Sequence, residues 1–235
     1  WYFIEGFPLE GGSGEIPNFK CFAYHGGMPK LNLRNPEVEK FITDVACYWI
    51  KECDIDGWRL DVGDEISHFF WKRFREAVKA VKKNMLIIGE IWHYAGDFLE
   101  GDEWDTVMNY PFYLNMIDLL AEEKINVSRF VQNLGYLKGR LNKKCYPLMW
   151  NLIDSHDTAR FLHLCKDNKK KQHLAAAFQL LLPGMPMIYY GDEYAMPGAN
   201  DPDCRRGMYW DEEYQDKEMF EWYKRLLQVR KAHTC

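Results

Sequence analysis

The sequence has no excess of positive charge, no charge-free apolar run long enough to cross a bilayer, and no CxxC pair. Its 30 Lys and Arg residues are outnumbered by 35 Asp and Glu residues, for a formal net charge of -5. We therefore expect neither nucleic acid nor a membrane as a partner. Because no cysteine and histidine pair has zinc-like spacing, the sequence also gives no indication of a zinc site.

The composition is that of a globular protein. Hydrophobic residues make up 47% of the 235 residues and charged residues 28%, which is enough for one large domain or two small ones with a substantial core. Aromatic residues reach 16%. They either fill this core or line a cleft in which flat rings stack on sugars or bases, and composition does not choose between the two.

The seven cysteines are an odd number and are spread along the chain, which is typical of reduced thiols in a cytoplasmic protein. The chain opens with Trp1 and has no basic region in front of its first apolar residues, so no signal peptide is predicted. It also lacks an initiator methionine. We expect the start to be cut from a longer chain, and any targeting segment would then be hidden.

The residue pattern predicts an α/β fold in which strands alternate with helices, after an irregular stretch with flexible glycines at 11–14. Predicted strands are 58–62, 85–90, 106–109, 149–153 and 187–190. Predicted helices are 36–53, with Asn35 as its N-cap, and 66–82, 111–123, 128–134, 169–182 and 217–232. Such alternation favours βα units and a parallel sheet.

Acidic residues follow four of the five predicted strands. Asp61 closes the first strand, Glu90 the second, Asp157 lies just past the fourth, and Asp192 and Glu193 close the fifth. In a parallel sheet these ends lie on one side, where βα barrels build their active sites. A single acid at a strand end is more often a helix cap, so only the acids at the four strand ends together indicate an active site.

Two of these acids have informative neighbours. Arg59 and Asp61 face the same way in an alternating strand and can pair, either for catalysis or as a structural ion pair. Glu90 directly follows a hydrophobic run, and a buried carboxylate is costly unless it has a partner or a task. An ionised aspartate and a protonated glutamate are the nucleophile and general acid that a retaining glycosidase needs.

Three segments resemble conserved regions of the α-amylase family of glycoside hydrolases, in the family's order. They are 57–62 (Gly-Trp-Arg-Leu-Asp-Val), 88–92 (Ile-Gly-Glu-Ile-Trp) and 154–158 (Asp-Ser-His-Asp-Thr). Segments 28–32 (Met-Pro-Lys-Leu-Asn) and 201–206 (Asp-Pro-Asp-Cys-Arg-Arg) are similar to the neopullulanase, cyclomaltodextrinase and maltogenic amylase branch. The resemblance covers essentially the whole chain.

The resemblance implies a role for each matched residue. Asp61 corresponds to the nucleophile, Glu90 to the general acid and base, and Asp157 to the carboxylate that holds the sugar hydroxyls. The implied substrate-binding residues are Arg59, His156, Glu65, Trp92, Asp201 and Arg205. For the implied retaining mechanism, the carboxyls of the nucleophile and the acid should lie roughly 5–5.5 Å apart, against about 6.5–9.5 Å for an inverting enzyme.

The resemblance also implies the architecture of a partial (β/α)8 TIM barrel, comprising strands four to eight with their helices. Residues 1–35 correspond to the remainder of a loop domain inserted after barrel strand three, and residues 36–235 to the C-terminal portion of the barrel. The family's first conserved region is absent, and a full barrel takes about 250 residues. Because half a barrel leaves sheet edges unpaired, we expect an isolated segment to be poorly active and to self-associate.

The implied function is retaining hydrolysis of α-1,4-glucosidic bonds in cyclomaltodextrins, pullulan or malto-oligosaccharides. Two alternatives are a maltogenic amylase or transglycosylase, in which a sugar attacks the intermediate, and a non-catalytic carbohydrate-binding relative. No cofactor and no metal site are implied for this chain. Asp64 and Glu65 stand where many α-amylases have Lys-His, which weakens the inference of a structural calcium but leaves calcium open for the full-length protein.

Overall fold

The computed structural model describes residues 1–11 and 16–233. Residues 12–14 of the predicted glycine stretch and the predicted free thiol of Cys235 lie outside this part of the chain. The residues form two compact units, Trp1–Gly89 with Gly101–Trp104 and Glu90–Glu100 with Asp105–Cys235. We call them the first and the second unit. The predicted domain boundary between residues 35 and 36 stays a prediction.

The first unit consists of two helices and two strands after an irregular segment. They are α1 (Pro36–Cys53), β1 (Gly57–Leu60), α2 (His68–Val81) and β2 (Leu86–Gly89). The side chain of Asn35 accepts a hydrogen bond from the backbone N–H of Glu37 at 2.9 Å, which fixes the start of α1 as predicted. β1 and β2 pair in parallel with Leu60 opposite Gly89, so both strands end at the same level.

The second unit repeats the alternation of strand and helix. Its elements are β3 (Thr106–Val107), α3 (Tyr110–Met116), α4 (Val127–Arg140), β4 (Trp150–Asn151), α5 (Phe161–Leu164), α6 (Lys169–Leu181), β5 (Met185–Pro186) and α7 (Lys217–Ala232). β4 pairs in parallel with β5, and Met108 forms a parallel bridge with Trp150. A buried cluster between α6 and α7 includes Leu180 and Tyr223.

All five predicted strands are longer than the observed ones, and one of them is misplaced. The strand predicted at 187–190 lies at Met185–Pro186, because two backbone carbonyls beyond Pro186 accept hydrogen bonds from side chains instead of from a neighbouring strand. Gln179 donates to the carbonyl of Met187 at 2.6 Å and Arg160 to that of Tyr190 at 2.7 Å. The strand predicted at 58–62 ends at Leu60.

Among the described residues, no helix is both long enough and apolar enough to cross a membrane. The six described cysteines, which are Cys21, Cys47, Cys53, Cys145, Cys165 and Cys204, are free thiols. The prediction of reduced cysteines is confirmed for these six.

Candidate active site

In the first unit, the end of β1 carries a paired and exposed carboxylate. Asp61 follows Leu60 directly and forms an ion pair with Arg59, as the alternation of the strand predicts. The Asp61 side chain is 72% exposed. Val62 then adopts a left-handed conformation with φ of 44°, which is costly for a β-branched residue and is concentrated at functional sites.

A buried tryptophan explains Gly89 of the matched segment 88–92 and Gly63, the residue that follows the matched segment 57–62. Trp104 is 1% exposed. A Cβ added at Gly63 would lie 2.6 Å from its ring, and one at Gly89 would lie 2.2 Å from it. Either substitution would displace the indole, so Gly89, the last residue of β2, is required for packing within the first unit.

Glu65, predicted to contact substrate, forms an ion pair with Lys30. Lys30 belongs to the 28–32 segment, so this branch-specific segment directly contacts a predicted binding residue. A sugar hydroxyl that binds Glu65 would have to share the carboxylate with this ammonium group.

In the second unit, Glu90 is almost completely buried, with 2% of its surface exposed. The hydroxyl of Tyr110 lies 3.4 Å from Oε1 of Glu90 and donates to it, and it lies 3.2 Å from Oγ of Ser155. The Tyr110 ring stacks on that of Trp92, with centroids 4.2 Å apart. A buried carboxylate therefore meets a polar partner, which is what its burial requires.

Asp157, two residues beyond Ser155, is held from three sides. Its Oδ2 lies 3.2 Å from Nε2 of His156 and its Oδ1 lies 3.0 Å from a terminal nitrogen of Arg205. Its own backbone N–H donates to Oγ of Ser155 at 3.2 Å. Ser155 thereby joins Asp157 to Tyr110 and, through it, to Glu90.

Arg205 links the loop after β5 to the end of β4. Its Nε donates to the carbonyl oxygen of His156 at 2.8 Å and lies 2.9 Å from Oδ1 of Asp201. In the second unit, one network of contacts brings together six predicted site residues. They are Glu90, Trp92, His156, Asp157, Asp201 and Arg205. This arrangement can hold a proton donor and present a second carboxylate to hydroxyl groups.

Sequence reasoning missed Tyr110 and Ser155, which connect this network. A signal for Tyr110 exists, because it directly follows a predicted strand and precedes a proline, as a residue at the start of a helix does. Asn109 caps that helix by accepting from the backbone N–H of Phe112 at 3.2 Å. Ser155 lies within the matched segment 154–158, but its sequence neighbours do not indicate its contact with Tyr110.

Asp192, one of the two acids that follow the predicted fifth strand, is buried. Asp192 is 1% exposed and pairs with Arg160 across 3.2 Å. Burial and the neighbouring Asp154 raise the pKa of Asp192 well above its usual range. Of the residues that the structure describes, no group of three or more His, Cys, Asp and Glu is placed to hold a metal ion.

Comparison with known proteins places this geometry among carbohydrate enzymes. The family model described as alpha amylase, catalytic domain, matches residues 16–214. The chain is 46% identical over 235 residues to a cyclomaltodextrinase of Geobacillus thermopakistaniensis, covering 100% of this chain and 40% of that protein. It is 45% identical over 234 residues to an intracellular maltogenic amylase of Bacillus subtilis, covering 100% of this chain and 39% of that protein.

A solved structure gives the same result. A cyclomaltodextrinase superposes with a TM-score of 0.96 at 42% sequence identity, covering 99% of this chain and 40% of that one. The chain thus spans about 40% of the length of the relatives that it matches.

Proposed function

The chain belongs to the α-amylase family of glycoside hydrolases, and we propose that the protein hydrolyses α-1,4-glucosidic bonds with retention of configuration. The proposed substrates are cyclomaltodextrins, pullulan and short malto-oligosaccharides. The observation that carries the proposal is the contact of Tyr110 with both Glu90 and Ser155, which places a buried acid in one network with Asp157.

The proposed reaction has two steps. Glu90 donates its proton to the glycosidic oxygen while a carboxylate oxygen of Asp61 attacks the anomeric carbon, so that the leaving sugar departs with a hydroxyl group. The product is a covalent glycosyl ester on Asp61. Glu90, now ionised, then takes a proton from water, whose oxygen displaces Asp61 from the anomeric carbon and restores the enzyme.

Asp157 is proposed to hold sugar hydroxyls while this happens. The two oxygens of a carboxylate offer about four acceptor positions, so the contacts with His156 and Arg205 leave positions free for hydroxyl donors. Its side chain is 32% exposed, which supports access of a substrate.

We further propose that the strands correspond to barrel strands four to eight, with residues 1–35 as the remainder of an inserted loop domain. The order of the three matched segments supports this assignment. A cytoplasmic location is proposed from the free thiols and from the name of the intracellular relative, and cell fractionation would check it. No cofactor is proposed for this part of the chain, and turnover of the full-length protein with and without EDTA tests whether calcium is needed elsewhere.

The proposed function is tested with the variant Glu90→Gln in the full-length protein. The matched control is Glu100→Gln, which removes an exposed carboxyl from the same loop. Loss of the general acid should lower release of reducing sugar from β-cyclodextrin by about 10²–10⁴-fold. Binding of β-cyclodextrin, measured by calorimetry, should be retained.

Unchanged turnover of Glu90→Gln would contradict the catalytic role. Failure of the folded wild-type protein on β-cyclodextrin, pullulan and starch would favour the carbohydrate-binding alternative. Retention is tested separately by NMR of the first product, because release of the β-anomer would show inversion.

A further inference from the structure

Beneath the loop that carries His156 and Asp157 lies a buried charged cluster, which we call the Asp-Asp-Arg cluster. It consists of Asp154, Asp192 and Arg160, none of which is more than 1% exposed. A terminal nitrogen of Arg160 lies 3.2 Å from Oδ1 of Asp192. Burying an ion at this depth is expensive unless its charge is balanced.

Each of the two carboxyls has one oxygen with a hydrogen-bond or ion-pair partner and one oxygen without such a partner. Oδ2 of Asp154 accepts from the backbone N–H of Phe161 at 2.7 Å, and Oδ1 of Asp192 faces Arg160. The two side chains are within hydrogen-bonding distance of each other. Oδ1 of Asp154 and Oδ2 of Asp192 are otherwise buried without a partner. Two ionised carboxylates only accept, so they can bond to each other only through a proton.

The charge count agrees with the hydrogen bonding. Two ionised carboxylates and one guanidinium would leave a net negative charge in the interior, whereas one shared proton makes the cluster neutral. Burial raises the pKa of both acids, most strongly that of Asp192, which the neighbouring Asp154 raises further. The other groups that face the pair, Glu193, Tyr223 and Tyr113, supply no positive charge.

The cluster is attached to both ends of the loop. Asp154 immediately precedes Ser155, and its bond to Phe161 closes the segment after Asp157. The backbone N–H of Arg160 donates to the carbonyl of Gly198 at 3.0 Å, which ties the same segment to the loop after β5.

We propose that Asp154 and Asp192 share a single proton, and that the resulting neutral Asp-Asp-Arg cluster positions the Ser155–Asp157 loop for substrate. The three are positioning residues, since none of them is assigned a contact with the reacting atoms. The kinetic consequence rests on the proposed function, whereas the proton itself can be tested without any activity.

The first test compares Asp192→Asn with the double variant Asp154→Asn/Asp192→Asn in the full-length protein. The control is Asp167→Asn, which changes an aspartate at an exposed position. An amide at 192 replaces the protonated carboxyl and leaves one carboxylate for Arg160, so this variant should fold and keep most of its kcat. The double variant leaves the guanidinium without a counter-charge. Its kcat should fall by about 10²-fold through misplacement of the loop, or it should fail to fold.

The second test measures urea midpoints of the wild type and Asp192→Asn from pH 4 to pH 8. Unfolded aspartate ionises at about pH 4, whereas the folded protein keeps the shared proton to higher pH. The folded state then binds more protons, so the wild type loses stability as the pH rises towards the raised pKa of Asp192. The midpoint of Asp192→Asn minus that of the wild type should therefore increase with pH.

A constant difference across this range, or failure of Asp192→Asn to fold, would overturn the shared proton. Equal kcat in the double variant and the wild type would overturn the positioning role. An inactive wild type that still shows the pH-dependent difference would contradict the proposed function alone.

Discussion

The end of β1 and the end of β4 support their carboxylates in opposite ways. Asp61 is mostly exposed and pairs with Arg59, whereas Asp157 is held by His156, Arg205 and the oxygen of Ser155. The difference fits their proposed tasks. A nucleophile must be free to form and break a bond, while a residue that only binds hydroxyls gains from being fixed beforehand.

The largest expected difference between the two ends is in stability. Arg160→Met removes the only cation of the Asp-Asp-Arg cluster under β4, and breaking a buried pair in this way costs about 3–5 kcal/mol. Arg59→Met removes the partner of a largely exposed carboxylate, for which about 0–1 kcal/mol is expected. Urea unfolding of both variants measures the two losses.

Equal losses of unfolding free energy in the two variants would contradict this difference between the ends of β1 and β4. They would mean that Arg59, although its partner is exposed, contributes as much to the unfolding free energy as Arg160 does. Because each variant replaces one arginine by methionine, the two variants gain the same side chain. A difference between their losses of unfolding free energy therefore reports the surroundings of each arginine.

Local contacts of the proposed site residues could be predicted from the sequence, whereas their contacts with distant parts of the chain could not. Asp61, Glu90 and Asp157 follow strands, and their neighbours are specified by local pattern, since alternation alone predicts that Arg59 and Asp61 pair. Tyr110, which contacts Glu90, lies 20 residues away in the sequence, and Arg205, which contacts Asp157, lies 48 residues away. No local period encodes such contacts.

The fifth strand shows why element boundaries were less predictable. Its apolar run continues to Tyr190, but the carbonyls of Met187 and Tyr190 are bound by side chains of Gln179 and Arg160. Whether a carbonyl pairs with a strand or with a side chain depends on tertiary contacts. Asp192, predicted at the end of this strand, is buried and pairs with the same Arg160.

An intermediate effect is expected for Tyr110→Phe, which keeps the stack on Trp92 and removes the hydroxyl between Glu90 and Ser155. Loss of a hydrogen bond of this kind costs about 0.5–1.5 kcal/mol, so kcat should fall by up to about tenfold. Tyr136→Phe removes an exposed hydroxyl that accepts from Arg140 and is the matched control. Equal kcat values for Tyr110→Phe and the wild type would show that the hydrogen bonds of the Tyr110 hydroxyl do not hold Glu90 in position.

The smallest effect is expected for Arg205→Lys, at the surface of the β4 end. Arg205 is 45% exposed, so the loss in unfolding free energy should not exceed about 1 kcal/mol. A lysine keeps the charge but cannot use forked donors to reach Asp157, Asp201 and the carbonyl of His156 together. Steady-state kinetics with β-cyclodextrin should therefore show a raised KM and a nearly unchanged kcat.

The neighbouring Arg206→Lys is the control for this variant, because Arg206 pairs with Asp203 at 2.7 Å within its own loop. It should lose a similarly small amount of stability and leave KM unchanged. If both variants raised KM equally, the loop as a whole would set affinity. If only Arg205→Lys raised KM, the contact between Arg205 and Asp157 would be needed for substrate affinity. The end of β4 would then bind substrate through a fixed carboxylate, whereas the end of β1 presents an exposed one.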